Sequence, residues 1–163
     1  MPRLRLAWAE VAIAFFLLYA GIPWLGFQLD RALQAPRLPD VVSWIGLPLL
    51  ILGAAGLGWC FLLLVLRGRG TPNPRMPPEA LVTSGPYAWT RNPIVLAHAA
   101  ALFGLCLFLR TLSGAALVLL LSIPVHFALR QEERSLETRF GDVYTTYKAS
   151  VPRWIPRRPR RQS

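Results

Sequence analysis

Long apolar stretches separated by short polar ones set the first expectation. Four stand out: Trp8 to Leu29, Val41 to Leu66, Ile94 to Leu109 and Leu112 to Leu129. A helix needs about 20 apolar residues to cross a bilayer core, with a usual range of roughly 17 to 25. The first two runs meet that requirement. The third has 16 residues and only Arg110 and Thr111 part it from the fourth, so the two read as a tight helical hairpin, with a re-entrant pair as the alternative. Backbone polar groups in lipid must be satisfied internally, which makes each run a helix. The pattern therefore predicts an all-α polytopic membrane protein with about four transmembrane helices. Beyond Leu129 the pattern changes. Leu136, Phe140, Tyr144 and Tyr147 recur at spacings of 4, 4 and 3, the stripe of an amphipathic helix, which Gly141 interrupts at modest cost.

Composition sharpens this picture. Of 163 residues, 54% are apolar or aromatic and 16% are charged. Soluble chains carry roughly 25% charged residues, so a soluble globular enzyme is excluded. The net charge is +10, and 17 of the 18 cationic residues are arginine. A nucleic-acid reader spreads such charge over a folded face. Here it flanks the apolar runs. With the N-terminus cytoplasmic, 15 cationic residues fall inside and only Arg31, Arg37 and Arg110 fall outside. That asymmetry predicts four spans with both termini cytoplasmic. Cys60 and Cys106 lie within apolar runs and read as buried small hydrophobes. The first run is too long for the core of a cleavable signal, and no small-residue cleavage site follows it.

Several stretches invite a chemical reading that their surroundings do not support. Gly53-Ala54-Ala55-Gly56-Leu57-Gly58 has the wrong spacing for a dinucleotide loop and lies in a span, where small residues let helices approach. The chain has only two histidines, on different runs, and no zinc ligand set or metal site is expected. His98 reads as a hydrogen-bonded packing residue. His126 lies two residues after Pro124, which frees a backbone carbonyl and can open a polar cavity. The loop from Arg67 to Pro93 holds six prolines, which give it a defined extended path. Trp154 between arginines suits a headgroup layer.

Two polar stretches remain. One is Leu81-Val82-Thr83-Ser84-Gly85-Pro86-Tyr87-Ala88-Trp89-Thr90-Arg91-Asn92-Pro93. The other starts at Glu132-Glu133-Arg134-Ser135-Leu136, continues through Phe140-Gly141-Asp142-Val143-Tyr144, and reaches Val151-Pro152-Arg153. In order and spacing they resemble the isoprenylcysteine carboxyl methyltransferase and phospholipid methyltransferase-like membrane family, in its bacterial branch. The likeness covers about residues 68–157, with 1–66 as two generic N-terminal spans of one integral-membrane domain. It implies an enzyme of the bacterial inner membrane that uses S-adenosylmethionine. By position it assigns the cofactor to Glu79, Ala80, Leu81, Val82, Tyr87, Asn92, Pro93, Ile94, Val95 and Glu132. The commonest family form has His at position 92 and Tyr at 95. Asn92 cannot titrate near neutrality, and Val95 lacks a hydroxyl and an aromatic face.

The chemistry of those residues agrees with that assignment. Glu132 can pair with the cationic part of the cofactor, and Tyr87 or Trp89 can face a sulfonium or an adenine. Pro93 opens a helix whose free N–H groups suit a carboxylate. His126, Glu133 and Arg91 are the catalytic candidates, the first two as proton acceptors for an amine substrate. Because Glu132 lies four residues before Leu136, the stripe predicts that Glu132 reaches inward while Glu133 sits at the rim beside Arg134 and Glu137. The expected partners are the lipid bilayer and a lipophilic or small-molecule methyl acceptor: a prenylcysteine-like carboxylate, an aminolipid, a quinone-like lipid or a small thiol. No nucleic acid is expected. The alternative is a non-catalytic membrane scaffold that retains the fold.

Overall fold

The structure is a computed structural model; it describes residues 2–70 and 78–156, with side chains from Ala9 onward. All regular structure among the described residues is helical. The first helix, α1 (Pro2–Phe16), runs through a π-turn at Leu17–Gly21 into α2 (Ile22–Ala32). Then come α3 (Asp40–Leu66), α4 (Pro93–Phe108), α5 (Leu112–Phe140) and α6 (Asp142–Ser150). Ala9–Ala32, α3 and α5 are each long and apolar enough to cross a membrane. At 1.5 Å per residue, the 16 residues of α4 reach only about 24 Å, short of a core of about 30 Å. Of the four apolar runs, three thus form helices long and apolar enough to cross, and the third forms a shorter apolar helix. The 29 residues of α5 reach about 44 Å, so its polar last third, beyond Leu129, projects past the span. Pro72, Pro74, Pro77 and the arginines after Pro156 lie outside the described residues.

The chain forms two compact units that share α3, α4 and α5. The first takes the chain up to Ala55 together with Ala97–Ile123. Its core is Leu102, Cys106, Ala115 and Val118, with Leu18, Tyr19, Ile22, Phe103 and Leu107 packed against it. Small residues set the spacing between α3 and α4. A Cβ on Gly53 would stand 2.3 Å from the Ala101 nitrogen, and one on Gly104 would stand 2.5 Å from the Leu50 nitrogen. The packing role expected of Gly53 holds; Gly58 of the same stretch faces open space. The predicted hairpin is present as a three-residue turn between α4 and α5. There Arg110, at φ 61°, donates Nε–H to the Leu38 carbonyl at 2.7 Å and pairs with Asp40. Asp30 caps α5 by accepting the Ser113 N–H at 2.8 Å. His98 is a packing residue, 3.1 Å from the Tyr19 hydroxyl and with its ring 5.0 Å from that of Phe15. Cys60 and Cys106 are buried and free.

The second unit takes Gly56–Leu96 and the chain from Pro124 onward. Two buried clusters organise it. One joins Cys60, Leu63 and Leu64 of α3 to Val82 and Tyr87, with Ile94 against them. The other joins Tyr144, Tyr147 and Val151, with Leu81, Leu136 and Phe140 against them. The amphipathic stripe therefore does pack as one surface, but two helices supply it. Gly141, at φ 53°, stops α5 and starts α6. No atom lies within 4 Å of a Cβ built there, so the backbone conformation, not space, asks for glycine.

Candidate active site

The site grows from a turn, a strap and the polar end of α5. Gly85 adopts φ 62°, a conformation a side chain resists, and leads into a single 3-10 turn, Gly85–Ala88, with Pro86 at its start. That turn carries Tyr87 into the first cluster. Leu81 and Val82, adjacent and oppositely directed, enter the two different clusters. Tyr147 on α6 then donates its hydroxyl to the Tyr87 carbonyl at 2.7 Å. The two tyrosines of the Tyr-x-x-Tyr motif thus do different work. Tyr144 fills the core with 1% of its surface exposed, and Tyr147 ties α6 to the turn.

After α6 the chain folds back over residues 90–92 as a strap. The Arg91 N–H donates to the Pro152 carbonyl at 2.9 Å. The Arg153 carbonyl accepts the Thr90 hydroxyl at 2.8 Å and the Asn92 side-chain amide at 3.3 Å. The Arg153 guanidinium in turn grips Glu133 with two hydrogen bonds, Nε to Oε1 at 2.9 Å and Nη2 to Oε2 at 2.6 Å. Arg91 adds an ion pair, Nη1 to Oε1 at 3.6 Å. One carboxylate therefore sits between two guanidiniums. Burial alone would raise the Glu133 carboxyl, but the hydrogen bonds from Arg153 and the charges of Arg91 and Arg153 outweigh it and hold the group below the usual range.

This corrects the expected order of the two carboxylates. Glu133 is 4% exposed and Glu132 is exposed. The reason is helical drift. Four-residue steps each overshoot a full turn by about 40°, whereas seven residues fall within about 20° of two turns. Glu133 lies seven residues before Phe140, within about 20° of it around the helix, whereas Glu132 lies eight before it and about 80° away. Extending a stripe of fours backward chose the wrong neighbour, the more so because Gly141 separates Tyr144 from α5. Glu132 is nonetheless crowded by protein. Burial and the charge of Glu133 raise its carboxyl above the usual range. Its charge also reaches the Tyr87 and Tyr144 hydroxyls, helping to push the latter up to about 12 after burial and Glu133.

Among the described residues, three buried side-chain atoms find no hydrogen-bond partner: the Tyr87 hydroxyl, and Nε and Nη1 of Arg91. At 3.6 Å the latter's approach to Glu133 is an ion pair rather than a hydrogen bond. Tyr87, Arg91, Glu132 and Glu133 all belong to this neighbourhood. Ile94 packs on the Tyr87 cluster, and Pro93 is buried at the first turn of α4. Val95 is half-buried. Glu79 and Ala80 are exposed, and their N–H groups hold the loop to the Gly68 carbonyl at 2.8 and 3.3 Å. The Asn92 amide is engaged by the strap. His126 is half-buried and stacks on Trp154 at 5.9 Å. Sequence reasoning passed over Thr90, Tyr147 and Arg153 as functional parts. Their signal was the Val-Pro-Arg run after Tyr-x-x-Tyr, whose meaning needs the fold-back.

The family model described as phospholipid methyltransferase matches residues 41–143. The chain is 28% identical over 123 residues to the cobalt-zinc-cadmium resistance protein CzcN of Cupriavidus metallidurans, covering 71% of this chain and 52% of that one. The chain thus spans about half the length of that curated relative. No solved structure matches.

Proposed function

The chain belongs to the phospholipid methyltransferase family, and from that premise we propose that it transfers a methyl group from S-adenosylmethionine to a lipophilic acceptor in the membrane. The observation that carries this reading is the set of buried polar atoms left without partners beside an exposed carboxylate. Buried donors are nearly always satisfied, so leftover ones fit a ligand with matching acceptors. S-adenosylmethionine offers both halves of the match. Its carboxylate suits the free N–H groups of Arg91, and its ammonium and sulfonium suit Glu132. The Tyr87 hydroxyl can donate or accept, and its ring offers a face to a cation.

When bound, the cofactor supplies an electrophilic methyl that passes to an oxygen, nitrogen or sulfur lone pair while its sulfur keeps the bonding electrons. The protein's own part is alignment and exclusion of water. Arg91 and Glu132 would fix the two ends of the methionine portion, and Tyr87 would close over it. Glu133, held by two guanidiniums and with its carboxyl lowered, is a poor proton acceptor and serves as a brace. His126 is then the remaining candidate base for an amine acceptor; a carboxylate or thiolate acceptor needs none. The acceptor reaches the site from the bilayer, where an apolar molecule partitions. We place both termini and the site on the cytoplasmic side of a bacterial inner membrane, from the charge asymmetry. Reporter fusions at Pro39 and Arg110 should read outside, and those at Asn73 and Ser163 inside.

Calorimetry with S-adenosylmethionine on detergent-purified protein, followed by labelled-methyl transfer into a lipid extract, tests this reading. Binding and transfer are expected. A folded protein that does not bind the cofactor would be a scaffold. That second reading draws on one observation: Asn92, where the family more often has His, is engaged by the strap.

A further inference from the structure

Tyr19 and His98 are 79 residues apart in sequence, yet the Tyr19 hydroxyl stands 3.1 Å from His98 Nδ1. Phe15 completes a cluster of three rings, stacked on Tyr19 at 5.6 Å with planes 13° apart and tilted against His98 at 5.0 Å. The packing of His98 uses one ring nitrogen only. The other, Nε2, has no hydrogen-bond partner among the described residues, and protein does not enclose it. Small neighbours leave room beside the pair: Ala99 is exposed, and a Cβ on Gly21 would meet nothing within 4 Å. The backbone is irregular at the same place. Pro23 has no N–H to give the Tyr19 carbonyl four residues back, and the helix widens into the π-turn Leu17–Gly21 around Tyr19. Single π-turns are rare and concentrate at functional sites. The depth matters as well. Tyr19 lies ten residues into the apolar stretch Ala9–Ala32, about 15 Å along it, well inside a hydrocarbon core of about 30 Å.

Bulk water does not supply a partner at that depth, and a polar group left unpaired in hydrocarbon is costly. A partner for Nε2 has to arrive dissolved in lipid. We propose that the Tyr19–His98 pair is a binding site for an apolar molecule that carries a carbonyl or hydroxyl oxygen and reaches the pair through the bilayer. With the Tyr19 hydroxyl donating to Nδ1, the ring proton sits on Nε2, which donates in turn to the oxygen of the ligand. Phe15 holds both rings in place. A packing bond between spans accounts for the Tyr19 contact by itself, but not for the open nitrogen or the π-turn. All three rings belong to the unit formed by the chain up to Ala55 with Ala97–Ile123, so the site is complete within it.

The test uses the full wild-type chain in phosphatidylcholine vesicles and diethyl pyrocarbonate, which acylates an accessible imidazole nitrogen. The chain has two histidines, so mass spectrometry of the His98 and His126 peptides gives both rates from one sample, and His126 serves as the internal reference. Dihexyl ketone, whose oxygen sits mid-chain and enters the hydrocarbon, is the probe; tridecane is its oxygen-free control. Saturating ketone should lower the rate of His98 relative to His126 about fivefold, the worth of one hydrogen bond, and tridecane should leave the ratio unchanged. Tyr19→Phe, which unties Nδ1 and lets the ring turn, should remove most of the protection. A ratio that ketone leaves unchanged, equal protection by tridecane, or a His98 that the reagent does not reach would each overturn the proposal. Full protection retained in Tyr19→Phe would overturn the pair as the site. No arm uses S-adenosylmethionine, so the result is separate from that of the methyl-transfer assay.

Discussion

Glu133→Gln and Glu132→Gln change the same atoms on neighbouring residues, yet the structure assigns them opposite consequences. Glu133 is enclosed, with 5% of its side chain exposed against 10% for Arg91 and 22% for Arg153. Breaking a buried ion pair by removing one partner typically costs about 3 to 5 kcal/mol, because the remaining charge stays buried. Here two guanidiniums would lose their common counter-ion, while the partial exposure of Arg153 lets water screen one of them. A loss of about 3 kcal/mol is therefore expected for Glu133→Gln. Arg153→Gln should cost somewhat less, since Arg91 still faces the carboxylate. In a double-mutant cycle the pair should fall short of additivity by about 2 kcal/mol. Glu132→Gln, at an exposed position, should shift stability by less than about 0.5 kcal/mol and yet abolish measurable S-adenosylmethionine binding. The assay is equilibrium unfolding in mixed micelles for stability, with isothermal titration of the cofactor on each folded variant. Wild-type stability for Glu133→Gln together with additive behaviour of the cycle would refute the buried-brace assignment.

The same two groups set opposite pH dependences. Glu133, lowered in the fold, contributes stability that is present above the unfolded carboxyl's pKa and lost as pH falls through its lower folded value. Glu132, raised in the fold, contributes stability present below the unfolded value and lost as pH rises through its higher folded one. Cofactor affinity needs Glu132 ionised, so titrations at descending pH should weaken binding already above the usual carboxylate range. Tyr87→Phe deletes an unpartnered buried hydroxyl, so thermal unfolding should show equal or higher stability while cofactor affinity falls about tenfold. Gly53→Ala puts a methyl 2.3 Å from the Ala101 backbone and should cost about 1 to 3 kcal/mol, whereas Gly58→Ala, in open space, should be neutral or stabilising in the same unfolding assay.

Much of the fold was legible because lipid enforces it. Runs such as Val41 to Leu66 have one outcome in a bilayer, and the Arg110-Thr111 break left room only for a turn. The site was legible as a set of residues but not as a geometry. Gly85 and Gly141 stood out as motif glycines, and only their positive φ explains them. The phase of Glu132 against Glu133 turned on the difference between 3.6 and 4 residues per step, summed across a helix that ends sooner than the stripe does. Arg153 was hidden for another reason. Its partner lies 20 residues back on α5 and its carbonyl's partners lie 61 and 63 residues back, and no local pattern encodes a fold-back of that length.

That fold-back also has a consequence in time. Polypeptides are made from the N-terminus, so Thr90, Asn92 and Glu133 exist before Pro152 and Arg153 do. While the nascent chain lodges α3, α4 and α5 in the bilayer, the Thr90 hydroxyl and the Asn92 amide have no carbonyl to bond, and Glu133 has only its long pairing with Arg91. The polar site passes through an unlatched stage in every molecule synthesised, and one late segment ends it. A stop codon or a proteolytic cut just ahead of Pro152 would leave the spans in the membrane and the latch open, producing an inserted but unfinished protein. Surveillance of such products would have to read the open latch, because the defect lies outside the spans.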